Sequence, residues 1–397
     1  MPSTPSSMPA GACRAVNAFS KGSKLGEGTY GSVYMATDKA SGQRVALKRV
    51  KLSDSGFDRE GMPITSLREI SLLRRLSHRN VVELLEVVVG NRADAVFLVF
   101  EFCAFDLARL IDTMERPFSQ GEVKWMMAEL LRAVTYLHAN HVMHRDLKMS
   151  NLLLSDDGTL KVCDFGLART CQGSSHSDNG PYTPRVVTLW YRAPELLLGA
   201  ISYGPAVDMW SVGCIMGELL LHRPLLPAAT ELAQMQAICE LLGTPSLRIW
   251  PDVSQLPLWG KLRLPDQPYN DLPAKFAKLR PSEATLELLN SFLTFDPQKR
   301  IASSAALAHA YVGSPVPRAE RPRSHLAGAK PVSASSTAKR PRLAEPAAAA
   351  HLTVQADPLL RARAQHGSQS TALPMAQQAA VRIPSPCEVA VVPSRWC

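Results

Sequence analysis

His144-Arg145-Asp146-Leu147-Lys148-Met149-Ser150-Asn151 is followed downstream by Asp164-Phe165-Gly166 and then by Ala193-Pro194-Glu195. Asn151 and Asp164 supply hard oxygen donors, the kind Mg2+ prefers alongside phosphate oxygens. Upstream lies Gly26-Glu27-Gly28-Thr29-Tyr30-Gly31-Ser32-Val33, then Val45-Ala46-Leu47-Lys48. The glycines let main-chain N–H groups approach phosphate oxygens with no side chain between. They sit between two strand-like runs rather than between a strand and a helix, which excludes a dinucleotide-binding turn. Lys48 is then placed to pair with α- and β-phosphates. A covered lysine needs a carboxylate, and Glu69 in Pro63-Ile64-Thr65-Ser66-Leu67-Arg68-Glu69 is the candidate.

Around these strings the alternation changes once along the chain. Residues 32–36, 44–50, 82–89 and 95–100 read as strands, interrupted by one helical stretch over 63–76 whose Pro63 suits a first helical turn. After Phe102, Val123, Met126, Met127, Leu130, Val134 and Leu137 recur at helical spacing, and a second apolar helix is expected over 207–222. The expected fold class is α+β in two lobes: a β-rich N-lobe with one main helix at about 21–102 and a helical C-lobe at about 103–312. A cleft between lobes is a usual place for a small ligand. Trp125, Met126 and Met127 read as helix core.

The net charge of +9 is concentrated in one segment. Residues 314–397 hold eleven Lys/Arg against four Asp/Glu, and are rich in Ala, Pro and Ser without a sustained apolar period. Such a segment cannot bury enough surface to offset its ordering entropy, so 313–397 is expected to be a disordered basic tail, and 1–20 a disordered N-terminal segment. No apolar run is long enough to span a membrane. The N-terminus lacks a secretory layout and a myristoylation glycine, which predicts an intracellular protein without membrane association. The eight cysteines form no Cys-x-x-Cys pair, so they read as reduced thiols rather than zinc ligands or disulfides.

The chemistry these groups suit is phosphoryl transfer, where catalysis is chiefly positioning and neutralising charge. Asp146 would orient or accept the hydroxyl proton of the acceptor, Lys148 would stabilise the transferring phosphate, and Asn151 and Asp164 would ligate Mg2+. The motifs and their order resemble the protein kinase family over essentially 24–312, and Lys148 resembles the serine/threonine kinases. Within the family the cyclin-dependent branch fits: the helix ending at Glu69 is similar to its cyclin-contacting helix, Val186-Val187-Thr188-Leu189-Trp190-Tyr191-Arg192-Ala193-Pro194-Glu195 to its activation-segment end, and Leu241-Leu242-Gly243-Thr244-Pro245 to the start of its insert.

The resemblance implies an ATP site with Leu25, Gly26, Glu27, Gly28, Thr29, Tyr30, Gly31, Ser32, Val33, Ala46 and Lys48 above the nucleotide. Phe100 would lie at its back, Glu101 and Cys103 would offer hinge backbone to adenine, Asp106 would lie near ribose and Leu153 beneath the base. Asp208 would brace the catalytic loop, and Glu195 would pair with Arg300. Thr183 matches an activating phosphosite clamped by Arg68, Arg145 and Arg169, whose guanidinium groups would order the segment around the added charge. Thr29 and Tyr30 match inhibitory phosphosites, and the Val187 backbone with Arg192 shapes a pocket for proline after the phosphoacceptor. Pro-Ile-Thr-Ser-Leu-Arg-Glu is the string of the subtype-eleven branch, whereas residues 81–90, 222–227 and 267–270 are more similar to subtype ten. Subtype ten, which is preferred, implies an M-type cyclin as partner, and subtype eleven an L-type cyclin. In either case Glu69 is expected to need the cyclin to turn inward.

The expected activity is ATP- and Mg2+-dependent transfer to Ser/Thr-Pro protein substrates in cell-cycle or transcription-linked signalling. The alternative is a kinase-shaped cyclin-binding scaffold. A degenerate kinase would lack at least one of Lys48, Asp146, Asn151 or Asp164, and all are present. Lys339-Arg340-Pro341-Arg342 resembles a nuclear-import signal, with a solvated basic tail as the other reading; the expected location is nucleus and cytoplasm. Nucleic-acid binding has no support, because no aromatic residues interleave the tail's charges. Cys163, just before Asp164, reads as a small inert thiol.

Overall fold

The computed structural model describes residues 13–28, 31–50, 64–90, 95–171, 188–313 and 316. All of them lie in one compact unit, which ends at Arg342. Its first part is an antiparallel sheet of β1 (Phe19–Gly28), β2 (Gly31–Asp38), β3 (Arg44–Arg49), β4 (Leu84–Val89) and β5 (Val96–Glu101), in the order β1-β2-β3-β5-β4. Side chains alternate across it. Val45 and Leu47 on β3 bury one face with Phe19, Ala36, Val88 and Val99, and the intervening Ala46 and Lys48 turn toward the cleft.

The described residues begin before the boundary expected at residue 21. Arg14 donates to Asp38 at 3.0 Å and to Glu86 at 2.9 Å, and Val89 N–H donates to the Arg14 carbonyl, clipping the N-terminal segment to β2 and β4. Arg14 also lies over the Phe19 ring.

Helix α1 (Ile64–Leu73) lies between β3 and β4, and ends sooner than its apolar period suggested. Arg75 N–H and Leu76 N–H bond back to Leu72 and Leu73, the tighter spacing of a terminal turn, although Leu76 is still buried. Val82, expected to begin β4, and Val81 before it pair instead with Val162, and thereby join the sheet to the second part of the molecule.

That second part begins with β6 (Phe105–Asp106), α2 (Leu107–Thr113) and the 20-residue α3 (Gln120–Ala139). A capping box starts α3: Ser119 Oγ accepts from Glu122 N–H, and the Glu122 carboxylate accepts from Ser119 N–H. Its buried Val123, Met126, Met127, Leu130, Val134 and Leu137 form the centre of the main core, with Trp125 beside them. The short strands β7 (Val142–Met143), β8 (Leu152–Leu154), β9 (Leu160–Val162) and β10 (Arg169–Thr170) make two small sheets, β6-β8-β9 and β10-β7, that carry the intervening loops to the cleft. Beyond them come α4 (Pro194–Leu197), α5 (Ala206–Leu221) and α6 (Glu231–Leu242). α5 is buried around nearly its whole circumference and stops at His222, which adopts φ 56°. Helices α7 (Leu272–Phe276), α8 (Glu283–Phe292), α9 (Ser303–Ala308) and α10 (Ala310–Gly313) complete the part, with α8 against α5 and α9 against α3. Among the described residues no helix is long and apolar enough to cross a membrane.

Candidate active site

β3, α1 and the turn after β9 each deliver one charged side chain to the same place. Lys48 Nζ donates to Glu69 Oε1 at 2.7 Å and to Asp164 Oδ1 at 3.0 Å. Burial alone would depress the Lys48 ammonium, but Asp164 and Glu69 outweigh it and hold the pKa above the ordinary lysine value. Burial likewise works against the Asp164 carboxylate, and Lys48 overcomes it, keeping Asp164 below the ordinary value. Expected to need a partner to turn inward, Glu69 stands inward in this structure and is 6% exposed.

Asp164 has φ 64°, a left-handed backbone that a residue with a Cβ adopts only where its surroundings impose it. Those surroundings are visible: Phe165 is buried and meets the His144 ring edge-on at 5.0 Å between centroids. His144 Nδ1 accepts from Asp146 N–H, so its proton sits on Nε2, which donates to the Cys163 carbonyl at 3.0 Å. The turn is thus tied to the loop that carries Asp146.

Arg145, the next residue in that loop, has φ 65° and is 2% exposed. The Asp208 carboxylate at the start of α5 accepts from Arg145 N–H at 2.8 Å, from His144 N–H at 2.9 Å and from His138 Nε2 at 3.0 Å. Burial pushes the Asp208 pKa up, but the bond and charge of His138 reverse this and leave it below the ordinary value. With its backbone fixed, the loop aims Asp146 at three neighbours. Lys148 Nζ donates to Asp146 Oδ2 at 2.6 Å, Asn151 Nδ2 reaches the same oxygen at 3.1 Å, and Thr188 Oγ1 donates to Oδ1 at 3.1 Å. Thr188 also accepts from Lys148 at 3.1 Å. Thr188 stands 42 residues beyond Asp146 in the chain, so no local sequence pattern points to its place beside the aspartate–lysine pair.

The cleft is roofed by β1 and β2. Leu25, Gly26, Glu27 and Gly28 end β1, and Gly31, Ser32 and Val33 begin β2, with Gly28 paired to Gly31. Gly31 has φ 144°, which its missing side chain permits. Below, half-buried Ala46 and Leu153 stand on opposite sheets, with buried Phe100 and Cys103 at the connection between the two parts. The Glu101 side chain is held by Lys161 at 2.8 Å and by Glu83 N–H. Asp106 caps α2, accepting from Arg109 N–H at 2.7 Å. Burial drives the Cys103 thiol up to about 12 and the Cys163 thiol well above its ordinary value.

Of the clamp expected around Thr183, Arg68 is exposed on α1 and Arg169 lies on β10. Arg145 donates to the Leu167 carbonyl and to Tyr203 Oη. Thr183 itself, with Thr29, Tyr30 and Val187, falls outside the described residues. Arg192, expected at the proline pocket, is buried and donates to Glu231 at 2.6 Å. Glu195 receives both terminal nitrogens of Arg300 at 2.7 and 2.8 Å, and that guanidinium also bonds the carbonyls of Ala206, Thr294 and Phe295.

A model of the protein kinase domain matches residues 19–312. Cyclin-dependent kinase 10 of Mus musculus is 52% identical over 301 residues, covering 76% of this chain and 81% of that protein. Cyclin-dependent kinase 10 of Homo sapiens is 51% identical over the same length. Cyclin-dependent kinase 11B of Homo sapiens is 50% identical over 299 residues, which span 37% of its length. The likeness to subtype ten, with subtype eleven next to it, is therefore found across the whole catalytic region. Motif order, two-part architecture and these similarities together establish that the chain belongs to the protein kinase family, in its cyclin-dependent serine/threonine branch.

Proposed function

We propose that this kinase moves the γ-phosphate of ATP to serine or threonine followed by proline, and that it does so with a cyclin bound, of M-type rather than L-type. The observation that carries the catalytic reading is the convergence of Lys48 on both Glu69 and Asp164, beside an Asp146 already bonded to Lys148 and Asn151. In this reading Lys48 binds the α- and β-phosphates, oriented by Glu69. Asp146 orients the acceptor hydroxyl and receives its proton, while Lys148 faces the developing charge.

The donor set fits Mg2+. Among the described residues no cluster of three or more His, Cys, Asp or Glu side chains can hold a metal. One carboxylate, Asp164, and one amide oxygen, Asn151, supply hard ligands, and Asn151 uses its nitrogen for the bonds it makes to Asp146. A cation completed by phosphate and water oxygens suits so sparse a set. When bound, Mg2+ neutralises charge on the phosphates; the protein's part is to fix where that charge lies.

Regulation follows in the same terms. Phosphorylated Thr183 would be gripped by Arg68, Arg145 and Arg169, and phosphates on Thr29 or Tyr30 would oppose those of ATP. The Val187 backbone and Arg192 would select the proline. We assign 13–313, from the Arg14 clip to the end of α10, to the catalytic domain and the residues after it to a basic tail, whose Lys339-Arg340-Pro341-Arg342 supports partition between nucleus and cytoplasm; alanines at that cluster should shift a fluorescent fusion to the cytoplasm.

The test is transfer of phosphate from ATP to a Ser-Pro peptide by the chain alone and with M- or L-type cyclins, beside Asp164→Asn. Activity that depends on Asp164 and on the M-type cyclin supports the proposal. Absence of transfer with a bound cyclin and phosphorylated Thr183 would leave a cyclin-binding scaffold instead.

A further inference from the structure

β1 and β2 do not pair evenly above the cleft. Lys24 pairs with Tyr34 and Gly26 with Val33, and the register shift between them passes over Leu25. Such a bulge leaves a residue outside the regular ladder and re-aims its backbone. The Leu25 carbonyl accepts a hydrogen bond from Arg109 Nη2 at 3.2 Å, across 84 residues of sequence. Arg109 lies on α2, on the far side of the cleft, and its Nε also meets Asp106 Oδ2 at 3.3 Å. Asp106 uses its other oxygen, Oδ1, to cap α2. One guanidinium therefore ties the base of the glycine-rich roof to the carboxylate on the cleft floor. Its remaining terminal nitrogen, Nη1, is covered and has no hydrogen-bond acceptor among the described residues, a costly arrangement for a purely structural arginine.

We propose that Arg109 is a positioning residue for the nucleotide: it holds the Leu25–Gly26 strand down over the cleft and sets the Asp106 carboxylate, so that roof and floor meet ATP as one preformed surface. The inference rests on the reading of the cleft as the ATP site. Pre-ordering of the roof lowers what binding must spend on ordering it, so its loss should weaken nucleotide binding and spare the chemical step. A second arginine bridges the two parts of the molecule through its side chain without bonding Leu25. Arg44 on β3 pairs with Asp156 at 2.7 Å, and both side chains are largely exposed. It serves as the comparison, since it spans the same two parts but cannot position Leu25.

The experiment uses the full chain with its cyclin and compares Arg109→Ala, Arg109→Lys, Arg44→Ala and Lys48→Met. Arg109→Ala is expected to raise the KM for ATP about tenfold, equivalent to ~1.4 kcal/mol, with kcat and the peptide KM unchanged within about twofold. Arg109→Lys, which keeps the cation and loses the fork, should lie between Arg109→Ala and the parent. Arg44→Ala should leave the ATP KM within about twofold of the parent. An unchanged ATP KM in Arg109→Ala, an equal rise in the peptide KM, or the same rise in Arg44→Ala would each overturn the proposal. If Arg109→Ala does not fold, Arg109→Lys decides, because a parental ATP KM there also overturns it. Lys48→Met separates the two readings: transfer that survives it removes the ATP-site assignment itself, whereas transfer lost with Lys48 but indifferent to Arg109 removes only the role of Arg109.

Discussion

Asp208→Asn changes one atom in a carboxylate that is 1% exposed and accepts from three donors. The asparagine oxygen can face either the side of His144 N–H and His138 Nε2 or the side of Arg145 N–H, but not both. Keeping the first pair sets the new NH2 against Arg145 N–H, two donors face to face. An orphaned buried donor costs about 1–3 kcal/mol, and loss of the charge weakens the two bonds that remain by roughly half. The expected loss of stability is about 2–4 kcal/mol, a large part of the roughly 5–15 kcal/mol typical of a folded protein. Arg145 stands at φ 65°, a backbone strain of about 1–3 kcal/mol that the Asp208 bond offsets. Once the bond is lost Arg145 relaxes, Asp146 turns from its neighbours, and kcat falls by about 100-fold or more. Because folding lowers the Asp208 pKa from 3.8, its contribution is complete above that value and is lost as pH falls through the folded value. Parent and variant should therefore converge in stability in strong acid. Urea unfolding at neutral and acid pH, with kcat at neutral pH, makes the test. A variant within about 1 kcal/mol and threefold of the parent at neutral pH would refute the bracing argument.

Glu195→Ala strands a guanidinium whose side chain is 0% exposed, and should cost about 3–5 kcal/mol by denaturant unfolding, while a joint Glu195→Leu, Arg300→Met change recovers much of it. Glu69→Gln keeps a hydrogen bond to Lys48 but removes a charge, so transfer should slow by about 10–100-fold at saturating ATP with little change in melting temperature. Iodoacetamide at neutral pH should label exposed Cys13 at least about 100-fold faster than Cys103, whose thiol burial pushes up to about 12, or Cys163; peptide mass spectrometry reads the ratio.

The short motifs carried most of the site because each contains the residues that do the work within a few positions of one another. His144, Arg145, Asp146 and Asn151 are legible as a string, and so is the helix period that buries Met126 and Leu130. What escaped notice depends on partners far away in sequence. Arg14 lies in a Ser/Pro-rich stretch that reads as unstructured, and its anchors Asp38 and Glu86 are 24 and 72 residues off. Val81 and Val82 continue the apolar run of β4, yet their partner is Val162. Leu76 sits at helical spacing from Leu73 and is buried, so only backbone geometry reveals that the helix has already tightened. Arg109 is one charge on an amphipathic helix until the bulge at Leu25 supplies its acceptor.

The Lys48–Asp164 contact closes across 116 residues. On a ribosome moving at about 5–20 residues per second, Lys48 is made roughly 6–23 s before Asp164, whereas the hairpins β1-β2 and β2-β3 can pair almost as soon as they emerge. Through that interval Asp164 is not yet there to answer the ammonium. Vectorial synthesis therefore leaves the nascent N-lobe without the Asp164 carboxylate that the finished protein sets against this cation, and the growing chain is catalytically silent until its own C-lobe arrives to supply it.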